Sequence, residues 1–97
     1  MRLGQLQVDA AAHRVSFDGR PVDLRPRQFE LLTHFMRQPN RVHSRASLLR
    51  VLGADHETMD ERTVDVWVGR LRSALHSSGA PAPIRTVKGY GYVFDQD

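Results

Sequence analysis

The 97-residue chain has no cysteine. Disulfide frameworks, thiolate zinc sites and thiol nucleophiles are excluded together, and the absence is at home in a reducing cytosol. Long apolar runs are missing too. No stretch approaches the ~20 residues of a membrane span, and the opening Met1-Arg2-Leu3-Gly4-Gln5 lacks the charged-then-apolar layout of a secretion signal. The expectation is a soluble, unexported, cytoplasmic protein. Catalytic and metal-binding spacings are equally scarce. His13, His34, His43, His56 and His76 show neither HxxxH nor HxH spacing, and a chain this short builds one modest core without a second lobe to close a cleft. The acids Asp55, Glu57, Asp60 and Glu61 lack the glycine and ligand spacing of a calcium loop; helix capping and favourable charge at a helix start account for them. No enzyme, metal or cofactor is expected. There is no internal repeat, low-complexity tract or linker, so residues 1–97 read as one domain.

What is present is ordinary globular composition, 40% hydrophobic and 26% charged, with Lys plus Arg 14 against Asp plus Glu 11. The distribution says more than the net +3. Up to residue 61, nine arginines meet eight acids; from 62 to 90, Arg62, Arg70, Arg72, Arg85 and Lys88 meet Asp65 alone. A local cationic excess is the footprint of a polyanion binder, because each neutralised phosphate releases counterions. By itself it fits a solvated basic face equally well.

Leu6 and Val8, Val15 and Phe17, then Val22 and Leu24 alternate with polar residues, the period of half-buried strands. Asp18-Gly19 accepts positive φ at both turn positions and marks a two-residue hairpin. The opening therefore reads as a small antiparallel meander. Pro26 suits a first helical turn, and Phe29, Leu32, Phe35 and Met36 recur at helical spacing until Pro39. Ser44 can cap a second helix carrying Leu48, Leu49, Val51 and Leu52, ended by Gly53. Residues 54 to 60 read as an acidic loop. Asp60 can cap a third helix to about His76, ended by Ser77, Ser78 and Gly79. Two β-prone runs, 84–87 and 92–94, around Lys88-Gly89-Tyr90-Gly91 form a closing hairpin.

On the third helix, Val64, Val68, Leu71 and Leu75 fall within roughly 60° of one another when residues step by ~100°, which makes them the core stripe. Arg62, Val66, Gly69, Arg70 and Ser73 face the other way, with Trp67 and Ala74 at one border and Arg72 at the other. A major groove admits a helix, shows guanine O6 and N7 to a forked arginine, and offers the thymine methyl to a small apolar side chain such as Val66. Arg62 and Arg70 are the candidate readers. The competing reading of this face is plain solvation. Thr86, Lys88 and the glycine-rich tip place a cation beside the helix, within reach of an adjacent minor groove or its phosphates.

Four blocks in order, Leu24-Arg25-Pro26-Arg27-Gln28-Phe29-Glu30-Leu31-Leu32, Arg41-Val42-His43-Ser44-Arg45 with Leu48-Leu49, Arg62-Thr63-Val64-Asp65-Val66 through Arg70-Leu71-Arg72, and Ile84-Arg85-Thr86-Val87-Lys88-Gly89-Tyr90-Gly91-Tyr92, resemble the effector domain of the OmpR/PhoB family of bacterial response regulators, most of all its phosphate-regulon branch. The resemblance implies an α+β winged helix-turn-helix: an N-terminal four-stranded antiparallel sheet, three helices and a C-terminal β-hairpin wing. It implies sequence-specific binding of double-stranded DNA, with a recognition helix at about 61–76 in the major groove and a wing at about 86–92 on the minor groove. By position, Arg62, Val66 and Arg70 would meet bases or nearby backbone. Thr63, Trp67, Arg72 and Thr86 would meet phosphates, and Lys88, Gly89 and Tyr92 fall on the wing. Gly53, Ala54, Asp55, His56, Glu57, Thr58 and Met59 match the segment that meets RNA polymerase, often its sigma subunit.

The family pattern also implies head-to-tail pairing of full regulators on direct repeats, ~10 bp apart so that both domains lie on one face of the duplex. The isolated domain would be a monomer on one half-site. The receiver domain of such regulators has no counterpart in these residues, so the chain is expected to be the effector domain alone. Departures from the pattern are local. Trp67 stands where relatives carry a smaller side chain, and would either stack on deoxyribose or extend the core. Gly69 interrupts the reading helix at ~0.5–1 kcal/mol relative to Ala. Lys88 replaces an Arg and lacks its planar fork, and Arg25 replaces a Ser or Thr cap. The rival reading is a winged helix that binds only protein; such modules lose the outward arginines.

Overall fold

The structure, a computed structural model, describes residues 1–53 and 60–96. Four short strands open the chain: β1 (Arg2–Leu3), β2 (Leu6–Asp9), β3 (Arg14–Phe17) and β4 (Arg20–Pro21). They pair antiparallel in sequence order. Asp18 and Gly19 take φ of 53° and 77°, the left-handed pair required for a turn matching the strand twist. The third expected strand is shorter than the alternation of Val22 and Leu24 implies. Pro21 has no N–H to give a ladder, and only Val22 continues it, its N–H donating to Val15 O at 2.8 Å. Beyond that point the chain turns into the first helix. The segment before β2 pairs as an edge strand that its two residues do not advertise.

Helix α1 (Pro26–Arg37) starts from an extended Arg25. Gln28 Oε1 accepts the Arg25 N–H at 3.0 Å, but an arginine has no acceptor to return, so only half of the reciprocal capping arrangement forms. Helix α2 (Arg45–Leu52) is capped by Ser44, whose hydroxyl accepts the Ser47 N–H at 3.1 Å. Helix α3 (Glu61–Ser77) is capped by Asp60, whose carboxylate accepts the Arg62 N–H at 2.9 Å. Its far end is closed by Gly79 at φ 78°, with the Gly79 N–H on His76 O and the Ala80 N–H on Leu75 O, both 2.9 Å. These are the paired bonds of a glycine-terminated helix.

A second sheet, in the order β5-β7-β6, holds β5 (Val42–Ser44), β6 (Ile84–Val87) and β7 (Gly91–Phe94). The sequence announces only the β6–β7 hairpin; β5 is three residues long and runs straight into α2. The three helices and this sheet enclose one core. Leu31, Leu32 and Phe35 of α1, Leu48 of α2, the stripe Val64, Val68, Leu71 and Leu75 of α3, and Phe94 are all 0% exposed. Gly91 lies where β7 crosses β5. A Cβ there would collide with the carbonyl of His43, and its φ is 155°. Only glycine allows the two backbones to come this close.

Candidate nucleic-acid interface

With one stripe of α3 sealed in the core, the opposite stripe has to face outward. Val66 is 50% exposed, and Arg62 and Arg70 are exposed beside it. Asp60 holds both the backbone and the side chain of Arg62, with Nη2 on Oδ2 at 3.0 Å, yet the Arg62 side chain stays 90% exposed. The bond to Arg62 is the main force holding the Asp60 carboxyl below its usual pKa. Arg70 meets no carboxylate among the described residues; its Cζ lies 4.8 Å from the Trp67 ring centroid. Trp67 itself is half-buried and packs against the core. Thr63 is half-buried at the helix start, and a Cβ at Gly69 would meet nothing within 4 Å. The backbone of α3 therefore has open space on its outer side at Gly69.

The wing projects next to this face. Lys88 and Gly89 are exposed at its tip, Gly89 with φ 83°, and the turn closes with the Tyr90 N–H on Val87 O at 2.9 Å. Tyr90 is 72% exposed, the largest apolar group on the tip. Sequence reasoning passed over it, although an aromatic ring between two glycines has nothing nearby to pack against. Thr86 is exposed, and its Oγ1 accepts from Arg72 Nη2 at 3.1 Å.

Two residues expected to face DNA do other work. Tyr92 is buried at 4%, because β7 is the central strand of its sheet and the ring falls on the core side. Its hydroxyl donates to Asp65 Oδ1. The same oxygen accepts from Arg45 Nε at 2.8 Å, so α2, α3 and β7 meet at one carboxylate. Burial pushes the Asp65 carboxyl up, but the bonds from Tyr92 and Arg45 and the Arg45 charge outweigh it and leave it below the ordinary range. Burial first, then Asp65, raise the Tyr92 hydroxyl, which keeps it a donor. Arg72 is the second. Its Nε donates to Ile84 O at 3.1 Å, its Nη2 to the same carbonyl and to Thr86, and its Cζ stands 5.4 Å from the Tyr92 ring. Most of its donors bind the wing to the helix.

The cationic stretch of 62–90 thus divides. Arg85 is paired with Asp95 at 2.9 Å, Arg72 is tied internally, and Arg62, Arg70 and Lys88 present their tips to solvent. Arg45, missed by sequence reasoning, is the partner that anchors Asp65; its position next to the Ser44 cap gave no separate signal. Of the segment expected to meet RNA polymerase, Ala54, Asp55, His56, Glu57, Thr58 and Met59 lie outside the described residues; Gly53 ends α2 at φ 119°. Among the described residues no cluster of His, Asp and Glu is arranged to hold a metal ion, and no helix is long and apolar enough to cross a membrane.

Comparison with known proteins gives consistent results. The family described as "Transcriptional regulatory protein, C terminal" matches residues 19–94. The phosphate regulon transcriptional regulatory protein PhoB of Rhizobium meliloti is 48% identical over 92 residues, covering 95% of this chain and 40% of that protein. PhoB of Escherichia coli is 40% identical over 89 residues, covering 92% and 39%. The chain spans about two fifths of the length of these curated relatives. Among solved structures, the DNA-binding domain of the response regulator AdeR in complex with an intercistronic region superposes with a TM-score of 0.88 at 25% identity, covering 100% of both chains. The Klebsiella pneumoniae RstA DNA-binding domain in complex with the RstA box gives 0.82 at 32% identity, covering 98% of this chain and 95% of that one.

Proposed function

Because the chain belongs to the OmpR/PhoB-type family of transcriptional regulatory C-terminal domains, we propose that it binds duplex DNA sequence-specifically and controls transcription as the effector domain of a two-component response regulator in the bacterial cytoplasm. The observation that carries this reading is the division of α3. A fully buried stripe fixes the helix to the body, and the opposite face offers Arg62, Val66 and Arg70 beside an exposed wing tip. In the major groove, Arg70 and Arg62 read guanine edges or adjacent backbone and Val66 meets a thymine methyl. Gly69 allows close approach. Thr63 and Trp67 meet phosphates at the helix border. Thr86 accepts from Arg72, so its own hydroxyl hydrogen is available to a phosphate oxygen, with Arg72 as its brace. Lys88 and Gly89 follow the minor groove.

The domain alone occupies one half-site as a monomer, and full regulators pair head to tail on direct repeats. The segment from Gly53 to Met59 meets RNA polymerase, through its sigma subunit; the negative charges of Asp55 and Glu57 suit a basic partner. Selection of random duplexes against the 97-residue domain, followed by titration of the enriched duplex across salt, tests the reading. A discrete motif and a log–log salt slope near −0.9 per contacted phosphate are expected. The absence of both a motif and a salt slope favours a protein-interaction module instead.

A further inference from the structure

Trp67 has a guanidinium near it from each of two helices. Arg70 Cζ of α3 lies 4.8 Å from the ring centroid, and Arg27 Cζ, from the first turn of α1, lies 5.5 Å from it. The two cations therefore stand within about 10 Å of each other. Neither is in an ion pair with a described acid; among the described residues the pairs are Arg45–Asp65, Arg62–Asp60 and Arg85–Asp95. An indole face attracts each guanidinium but supplies no counter-charge, so the pair is left unneutralised by the described residues. Arg27 is half-buried, as expected of an arginine whose stem lies on apolar surface while its head reaches water.

Arg70 can extend toward a base edge, but a second cation beside it on α1 calls for an anion flanking the groove. Base edges carry no net charge, whereas successive phosphates of one strand do. We infer that Arg27 is a further DNA-contacting residue, held by Trp67 next to Arg70 so that it grips the phosphate backbone flanking the reading helix. The inference rests on the proposed function and extends its footprint from α3 and the wing onto the start of α1. It also gives Trp67 a defined part: a partly buried platform that positions a cation on each of two helices, rather than a reader of its own.

The test is Arg27→Met, which keeps an unbranched apolar stem and removes the charge, with Arg27→Lys as the charge-restoring variant. Affinity for the enriched duplex and for a scrambled one is measured across salt, and thermal melting reports the fold. Arg27→Met should flatten the log–log slope by about 0.9 and weaken both duplexes about five- to tenfold at 0.1 M salt, while Arg27→Lys recovers the slope. A wild-type slope and affinity in Arg27→Met overturns the inference. So does a loss confined to one sequence, or a loss that tracks a lowered melting temperature and is not recovered by Lys. A wild-type chain that binds no duplex brings down the functional reading itself, and is recognised without any variant.

Discussion

The two flanks of α3 use the same residue type to opposite ends. On the flank facing the wing, Arg72 and the neighbouring Arg45 spend their donors on Ile84, Thr86 and Asp65. On the outer flank, Arg62 and Arg70 keep their tips in solvent. What separates them is the neighbour: where a carbonyl or carboxylate comes within reach of a half-buried guanidinium, the bond is made and the residue becomes a strut. Arg62 pairs with an exposed Asp60 and still leaves its side chain 90% exposed, and Arg70 has an indole face beside it and no carboxylate among the described residues. Positive composition therefore overstates the number of cations that reach solvent on this face.

The sharpest way to break this contrast acts on the wing side. Gly91→Ala forces a Cβ into the His43 carbonyl at a φ of 155°, and should destabilise the domain by about 3 kcal/mol or more, roughly 12 to 24 °C in Tm. Gly89→Ala, with open space around it, is the control for backbone conformation alone. Equal melting of the two would show that the β5–β7 approach is not tight. On the outer flank, Arg70→Ala should cost about 1 to 3 kcal/mol in affinity and relax preference at one base position. Its Tm should stay close to wild type. A large fall in Tm would move Arg70 to the strut class.

The smallest expected effect concerns Asp65, at the meeting point of Arg45 and Tyr92. Asp65→Asn should lose about 1 kcal/mol of stability at neutral pH, since the carboxylate is 41% exposed and partly screened. The folded-state pKa of Asp65 is depressed. The stabilisation is therefore fully present above the unfolded value of about 3.9 and lost as pH falls through the lower folded value. Urea melts of both proteins between pH 7 and pH 3 should converge at the acid end. A constant difference would remove the charge from the account. His34 adds to acid sensitivity in the same sense. Burial, then the charges of His43 and Arg37, lower its pKa, so protonation is resisted in the folded state and stability falls as pH drops below about 6.5.

Much of this organisation was legible because single residues control it. Asp18-Gly19, Ser44, Asp60 and Gly79 mark turns and helix ends by requirements of backbone geometry, and the spacing of Val64, Val68, Leu71 and Leu75 assigns the buried stripe without reference to anything distant. The two-residue strand β1 was not legible because two residues are too few to show an alternation, and the three-residue β5 was not because its partner, β7, lies about fifty residues away in the chain. The same reason hides the fate of Tyr92 and Arg72. Their neighbours in sequence, Gly91 and Leu71, say nothing of Asp65 or Ile84, and alternation in a closing hairpin cannot tell a central strand from an exposed one. Trp67 was open between two readings because its surroundings include Arg27, forty residues earlier.

Arg72 bonds α3 to Ile84 and Thr86 of β6, and Asp65 of α3 accepts from Tyr92 of β7, so the two wing strands and the helix are clasped to each other at two points. Such cross-ties favour one preferred span between the wing tip and the outer face of α3, like the jaws of a caliper. A duplex engaging both jaws has to bring its own groove spacing to that width, and sequences that bend or narrow at least cost gain an advantage at positions no side chain touches.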